Sequence, residues 1–247
     1  IMSNKIYPIG IQNFEKIRRG GYFYVDKTAL VYQLAKSGSY YFLSRPRRFG
    51  KSLLLSTLEA YFEGKKDLFA GLAIEQLEKD WERYPVLHLD LNTQEYNSVD
   101  RLKEKLNIAL TGWEKECGAE PAEKSLSTRF EGIIKRTSQK MGQRVVILID
   151  EYDKPMLQAI GNPGLQDAYR SLLKSFYGAL KSADGHIRFA MLTGVTKFSK
   201  VSVFSDLNNL EDISFRRNYN ELCGISEQEL QDNLGDELPE FSQSLGL

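Results

Sequence analysis

YYFLSRPRRFGKSLLL, residues Tyr40 to Leu55, carries three signals in a row. The apolar run Tyr40–Leu43, bounded ahead by Ser37-Gly38-Ser39, predicts a buried strand. Ser44 to Phe49 is a loop, and Gly50-Lys51-Ser52 opens a helical pattern. Backbone N–H groups at a helix N-terminus, with the helix dipole behind them, attract an anion. In such a strand–loop–helix a Gly lets the backbone approach phosphates, a Lys reaches the outer phosphate oxygens and a hydroxyl ligates Mg²⁺. Gly50, Lys51 and Ser52 supply those three groups. The full pattern G-x-x-x-x-G-K-[ST] also has a first Gly, and Arg45 stands in its place. A bare Gly-Lys-Ser also occurs by chance at helix starts that merely solvate a lysine, so the rest of the chain must supply the context.

The chain has 247 residues, enough for one large α/β domain or two small ones. Its 33 basic and 33 acidic residues cancel, so net charge does not support a nucleic-acid partner, although Arg45, Arg47, Arg48 and Lys51 form a local basic cluster. Cys117 and Cys223 lie far apart in unrelated contexts, which predicts free thiols in a reducing compartment. His88 and His186 show no ligand spacing and read as structural. No apolar run approaches about 20 residues, and the start lacks a signal-peptide pattern. The expectation is a cytoplasmic globular protein without a membrane partner.

The strongest single segment is RVVILIDEYD, Arg144 to Asp153. Five consecutive apolar residues, Val145–Ile149, are the pattern of a parallel strand covered on both faces. Asp150-Glu151 then fall at its C-terminal end, where open α/β sheets place ligands. Further strands are predicted at Val86–Leu91 and Ile187–Leu192, the latter running into Thr193 and Thr196. Helices are predicted at Phe14–Arg19, from Asp26 as N-cap to about Lys36, at Lys51–Glu63, at Ala73–Asp80, at Asn97–Cys117, at Ser125–Met141 and at Gly164–Ser182. Ser226 with Glu229 makes a capping box for a short helix to Asn233. Strands alternating with helices argue for an α/β three-layer sandwich with a mostly parallel central sheet.

The chemistry-bearing residues fall on successive strand ends in one order: Lys51-Ser52, then Asp150-Glu151, then Thr193 or Thr196. In P-loop ATPases an apolar strand ending in Asp supplies the second Mg²⁺ contact. A Glu beside it can polarise water, an effect of about 10²–10⁴-fold for general base catalysis. A polar residue on the neighbouring strand can orient that water.

RPRRFGKS, the LIDEYD strand, LTGVTKFSK and the opening YPIGIQNFEKIRRGGYFYVDKT together resemble a bacterial family of uncharacterised AAA-ATPase-like proteins. The resemblance covers nearly all of residues 6 to 234, and members of that family usually carry Arg at the position of Arg45. It implies a P-loop NTPase fold over residues 1–214, including an N-terminal segment on the adenine side. Residues 215–247 would be the start of a helical or winged C-terminal extension, cut short. It further implies ATP and Mg²⁺ as cofactors, Lys51 on the β- and γ-phosphates, Ser52 and Asp150 as metal ligands, and Glu151 as the base. Thr193 or Thr196 would be the γ-phosphate sensor. Arg48, Phe49 and Gly50, followed by Leu53 in the first helical turn, would line the phosphates.

Ile9, Ile11 and Val25-Asp26-Lys27 would contact adenine, although core packing and an N-cap explain that segment equally well. Arg45, Arg47 and Arg48 would contact phosphate or bridge to acidic residues. Arg216-Arg217 stand where ring-forming ATPases carry an arginine finger, with a solvated basic pair as the plainer reading. Absence of an Asn-Lys-x-Asp pattern favours ATP over GTP. The leading expectation is an ATPase hydrolase that couples turnover to conformational change. Its alternatives are a non-hydrolysing nucleotide switch or adaptor for a protein client, and the ATPase half of a nucleic-acid-processing nuclease whose nuclease residues this chain does not contain. An oligomer is compatible with either.

Overall fold

A computed structural model describes residues 5–197 and 203–238. Part of the LTGVTKFSK segment and residues 239–247 of the expected extension therefore lie outside the described residues.

The continuous apolar run Val145–Ile149 forms β3 (Val145–Asp150), buried along its whole length. It has β2 (Val86–Asp90) on one side and β4 (Ile187–Gly194) on the other. β1 (Tyr40–Ser44) follows β4, and the two-residue β5 (Glu211–Asp212) closes the far edge. Among the described residues the sheet is five-stranded, parallel throughout, in the order β2-β3-β4-β1-β5. The strand that feeds the Gly-Lys-Ser loop is thus separated from the strand that ends in Asp150 by β4.

Both faces of β3 are covered because its alternate residues enter two different cores. Val145, Ile147 and Ile149 pack with α5 (Val99–Cys117), α6 (Leu126–Met141) and α8 (Pro163–Ser182). Val146 and Leu148 pack on the other face with α1 (Phe14–Arg19), α2 (Thr28–Ser37) and α3 (Lys51–Phe62). A strand buried on both sides has no polar face to show, which is why its sequence does not alternate. The helix starts follow cap chemistry: Ser98 accepts from Arg101 N, and Ser125 with Thr128 forms a capping box. The other helices include the short α4 (Ile74–Leu77) and α7 (Lys154–Gln158), and α9 (Glu227–Leu234) with its Ser226–Glu229 capping box.

Two boundaries differ from the sequence pattern for physical reasons. The helix expected over Ala73–Asp80 is a single turn, because Glu78 leaves it. Its carboxylate instead accepts from Lys79 N, Asp80 N and Tyr61 Oη. Asp26 is not the N-cap of α2, since Lys27 occupies that position. The Asp26 carboxylate accepts from Thr28 N and Thr28 Oγ1 (2.8 and 2.6 Å), and its second oxygen accepts from Ala73 N at 2.7 Å.

Candidate functional site

The site forms where β1, β4 and β3 end side by side. Gly50 precedes α3 with φ 89°, and Arg48, two residues earlier, has φ 61°. These two left-handed residues turn the chain so that α3 starts over the sheet's C-terminal edge. Its first intrahelical bond runs from Leu54 N to Gly50 O, so the N–H groups of Lys51, Ser52 and Leu53 are first-turn donors without intrahelical acceptors. They form the positive end of a twelve-residue helix.

Lys51 is only 3 % exposed. Its ammonium donates to the Arg45 and Pro46 carbonyls, each at 3.0 Å, and pairs with Glu151 Oε1 at 3.1 Å. Ser52 Oγ donates to Asp150 Oδ2 at 2.5 Å, while Thr193 Oγ1 donates to Asp150 Oδ1 at 2.5 Å. Asp150 is therefore held from both sides, by the helix after β1 and by β4. Glu151 follows with φ 53°, a left-handed conformation uncommon for a non-glycine residue. Burial pushes its carboxyl above the usual carboxylate range, against the opposing pull of Lys51.

Glu151, Lys51 and Ser52 line a cleft of about 670 Å³, with Arg47, Arg48 and Ile9 on its rim. A more apolar cavity of about 410 Å³ lies across the loop, lined by residues that include Tyr24, Val25, Lys27, Leu54 and Cys223. Arg48, Phe49 and Gly50 wall both spaces, as do Ile11 and Leu53. One elongated ligand could therefore straddle the loop with a charged end in the cleft and an apolar end in the cavity.

Several expected residues are placed differently. Ile9, 91 % exposed, borders the cleft rather than the apolar cavity. Asp26 borders neither space, because its carboxylate is committed to Thr28 and Ala73. Arg45 braces the loop and lines neither space: its Nη1 donates to Ser44 O (3.0 Å) and Ser214 O (2.5 Å). Thr193 is fully buried behind Asp150, and Thr196 donates its hydroxyl to Asp153 at 2.9 Å. Arg216 pairs with Glu211 of its own chain at 2.9 Å, and Arg217 is exposed.

Other residues at the site carry no motif. Lys154 Nζ donates to Asn92 O (2.6 Å) and lies with it in the cleft wall. Leu222–Ile225 return to the loop, with Gly224 so close to Phe49 that a Cβ there would meet the ring at 2.7 Å. Both cysteines are free, and burial pushes the Cys223 thiol up to about 12. No helix among the described residues is long and apolar enough to cross a membrane.

A parallel sheet with β4 between β1 and β3, and a Gly-Lys-Ser helix start facing an Asp-Glu strand end, define an α/β protein of the P-loop NTPase-like class. Residues 8–204 match the family described as "Predicted AAA-ATPase", and the chain belongs to that family. It is also 45 % identical over 240 residues to a protein of Azotobacter chroococcum mcd 1 described as "Uncharacterized protein in vnfD 5'region". That match covers 96 % of this chain and 46 % of the relative, so the chain spans about half of the relative's length. No solved structure matches it.

Proposed function

We propose that the protein binds ATP across the loop and hydrolyses it with Mg²⁺. The observation that carries this reading is the set of contacts joining Lys51 to Glu151 and Ser52 to Asp150 to Thr193 at the positive end of α3. The α3 N-terminus and Lys51 would hold the phosphates, and the apolar cavity of about 410 Å³ would take the base.

Among the described residues no cluster of three or more His, Cys, Asp or Glu side chains could hold a metal alone. Mg²⁺ does not require one, because it keeps water and phosphate oxygens and takes only one or two protein oxygens. The Ser52 hydroxyl and Asp150 carboxylate, 2.5 Å apart, fit that donor set and would hold it. Mg²⁺ bound there would neutralise charge on the transferred phosphoryl group.

Glu151 would accept a proton from attacking water. Its desolvated carboxyl is a stronger base than an ordinary carboxylate and so better matched to near-neutral pH. Lys51 would stabilise charge developing on the outer phosphate oxygens. Arg47 and Arg48 on the cleft rim favour a polyanionic ligand in the same direction.

Calorimetry with a non-hydrolysable ATP analogue and Mg²⁺ tests the binding half. Wild type should bind, and Lys51→Ala should bind about 10–100-fold more weakly, the size of one lost charge-assisted contact. Equal affinity of the two proteins sinks the assignment. Phosphate release tests the chemistry: if Glu151→Gln turns over like wild type, Glu151 is not the base.

A further inference from the structure

The turn after β3 holds a buried carboxylate that the proposed chemistry leaves without a task. Asp153 is fully buried. Its Oδ2 accepts from Thr196 N (2.8 Å), Thr196 Oγ1 (2.9 Å) and Val195 N (3.1 Å). Tyr152 reinforces the same join: its N–H donates to Thr193 O at 2.9 Å and its hydroxyl to Thr196 O at 3.0 Å. All these bonds reach one target, the last residues of β4 and the chain leaving it.

The fit is close. A Cβ on Gly194 would stand 2.4 Å from Tyr152 Cε1 and 2.8 Å from Asp153 Oδ1, so only glycine lets the two segments approach. Glu151 lies between two anchored neighbours. On one side Asp150 is held by Ser52 and Thr193, with its carbonyl accepting from Leu91 N. On the other, Tyr152 and Asp153 are stapled to β4. A non-glycine residue at φ 53° persists only where its surroundings over-determine it.

A buried carboxylate that ties down a loop is ordinary architecture, and on its own would say nothing about chemistry. Here the loop it ties down continues the strand that carries Thr193, the partner of Asp150. The same strand end therefore orients the proposed metal ligand and the proposed base together. We propose that Asp153 is a positioning residue for hydrolysis, holding Glu151 in the left-handed conformation that keeps its carboxylate in the cleft beside Lys51. This rests on the ATPase reading above.

Asp153→Asn leaves one oxygen facing three donors and turns an NH₂ group toward one of them, Val195 N. Phosphate release should fall about 100-fold, the scale of a misplaced reacting group, while affinity for a non-hydrolysable ATP analogue stays within about 3-fold. Amide exchange at Val195 and Thr196 should quicken. The decisive measurement is a double-mutant cycle in single-turnover phosphate release: in the Glu151→Gln background, Asp153→Asn should cause no further loss.

Additive losses in a wild-type-active protein overturn the staple alone, because Asp153 would then act independently of Glu151. A wild type that releases no phosphate overturns the ATPase reading and this inference with it. Should Asp153→Asn fail to fold, Thr196→Val removes only the hydroxyl bond and carries the test. A loss of about 3–10-fold, again absent in the Glu151→Gln background, supports the proposal, and unchanged turnover despite faster exchange overturns it.

Discussion

Replacing Glu229 by Gln should open the apolar cavity at its C-terminal side. Lys27, 9 % exposed, lines that cavity, and its ammonium lies 2.5 Å from both oxygens of Glu229 on α9, 202 residues away in sequence. The same carboxylate accepts from Ser226 N at 2.8 Å to complete the capping box. Burial works against ionising Glu229, but the bonds from Lys27 and Ser226 outweigh it and hold its carboxyl below the usual range. Gln can keep the cap bond, so the substitution isolates the charge. Leaving a buried ion without its partner costs about 3–5 kcal/mol. The Glu229 side chain is 20 % exposed, so Lys27 regains some water and the expectation falls to about 2–3 kcal/mol. Urea unfolding reads the stability, amide exchange over 222–234 reads the closure, and titration with an ATP analogue reads the cavity. Lys27→Met with Glu229→Gln is the control: it removes the orphaned ion and keeps the cap bond, so the double variant should return to within about 1 kcal/mol of wild type. Glu229→Gln within about 0.5 kcal/mol of wild type, with unchanged exchange, would show that the pair behaves as a surface ion pair and does not close the cavity.

Two further perturbations test the frame around the site. His88 Nδ1 lies 3.0 Å from Glu59 Oε2; burial disfavours the imidazolium, but the bond to Glu59 outweighs it and raises the folded pKa above the ordinary value. A raised folded pKa means that the pair's stabilisation is complete below about pH 6.5 and is lost as pH rises through the folded value. Melting temperature should therefore decline above neutral pH in wild type and less steeply in Glu59→Gln; parallel profiles would remove His88 as the cause. Gly194→Ala should destabilise by about 1–3 kcal/mol, the usual overpacking cost, because the Tyr152 ring it would strike is itself packed against Phe42 and Phe204. A calorimetric melt unchanged by that substitution would mean the turn yields freely.

Local pattern was enough for the parts of the fold in which neighbours in sequence share one fate. Val145–Ile149 could be read as a doubly covered strand because every side chain in it is buried, and the capping box at Ser226 closes on Glu229, three residues on. The grouping of Lys51, Ser52, Asp150, Glu151 and Thr193 was legible for a related reason: loops at strand ends of a parallel sheet converge, so order along the chain becomes proximity in space. Pairings between distant segments were not legible. Nothing near Asp26 announces that its second oxygen will go to Ala73, and nothing near Lys27 announces Glu229. Asp153 carried a local signal, the last acid of DEYD, but it reads as a loop residue until its bonds to Val195 and Thr196 are seen.

The lateral ties of β1 explain how an arginine can stand where the common loop pattern has its first glycine. That glycine serves a backbone that turns as soon as it leaves the strand. Here Arg45 does not turn: it is absent from the residues with positive φ, its N–H still donates to Gly194 O on β4 at 3.1 Å, and its guanidinium reaches Ser214 O beyond β5. Position 45 thus extends the sheet by one residue, braced on both sides. The turn is deferred to Arg48 and Gly50, where φ is 61° and 89°. Because β4 stands between β1 and β3, the chain must then cross about two strand spacings, roughly 10 Å, before Ser52 can meet Asp150. A loop that ran straight into its helix at position 45 would leave α3 over β1. Postponing the turn to Arg48–Gly50 carries the helix start past β4 to the end of β3, and Lys51 arrives against Glu151 with the loop's own carbonyls as its other acceptors.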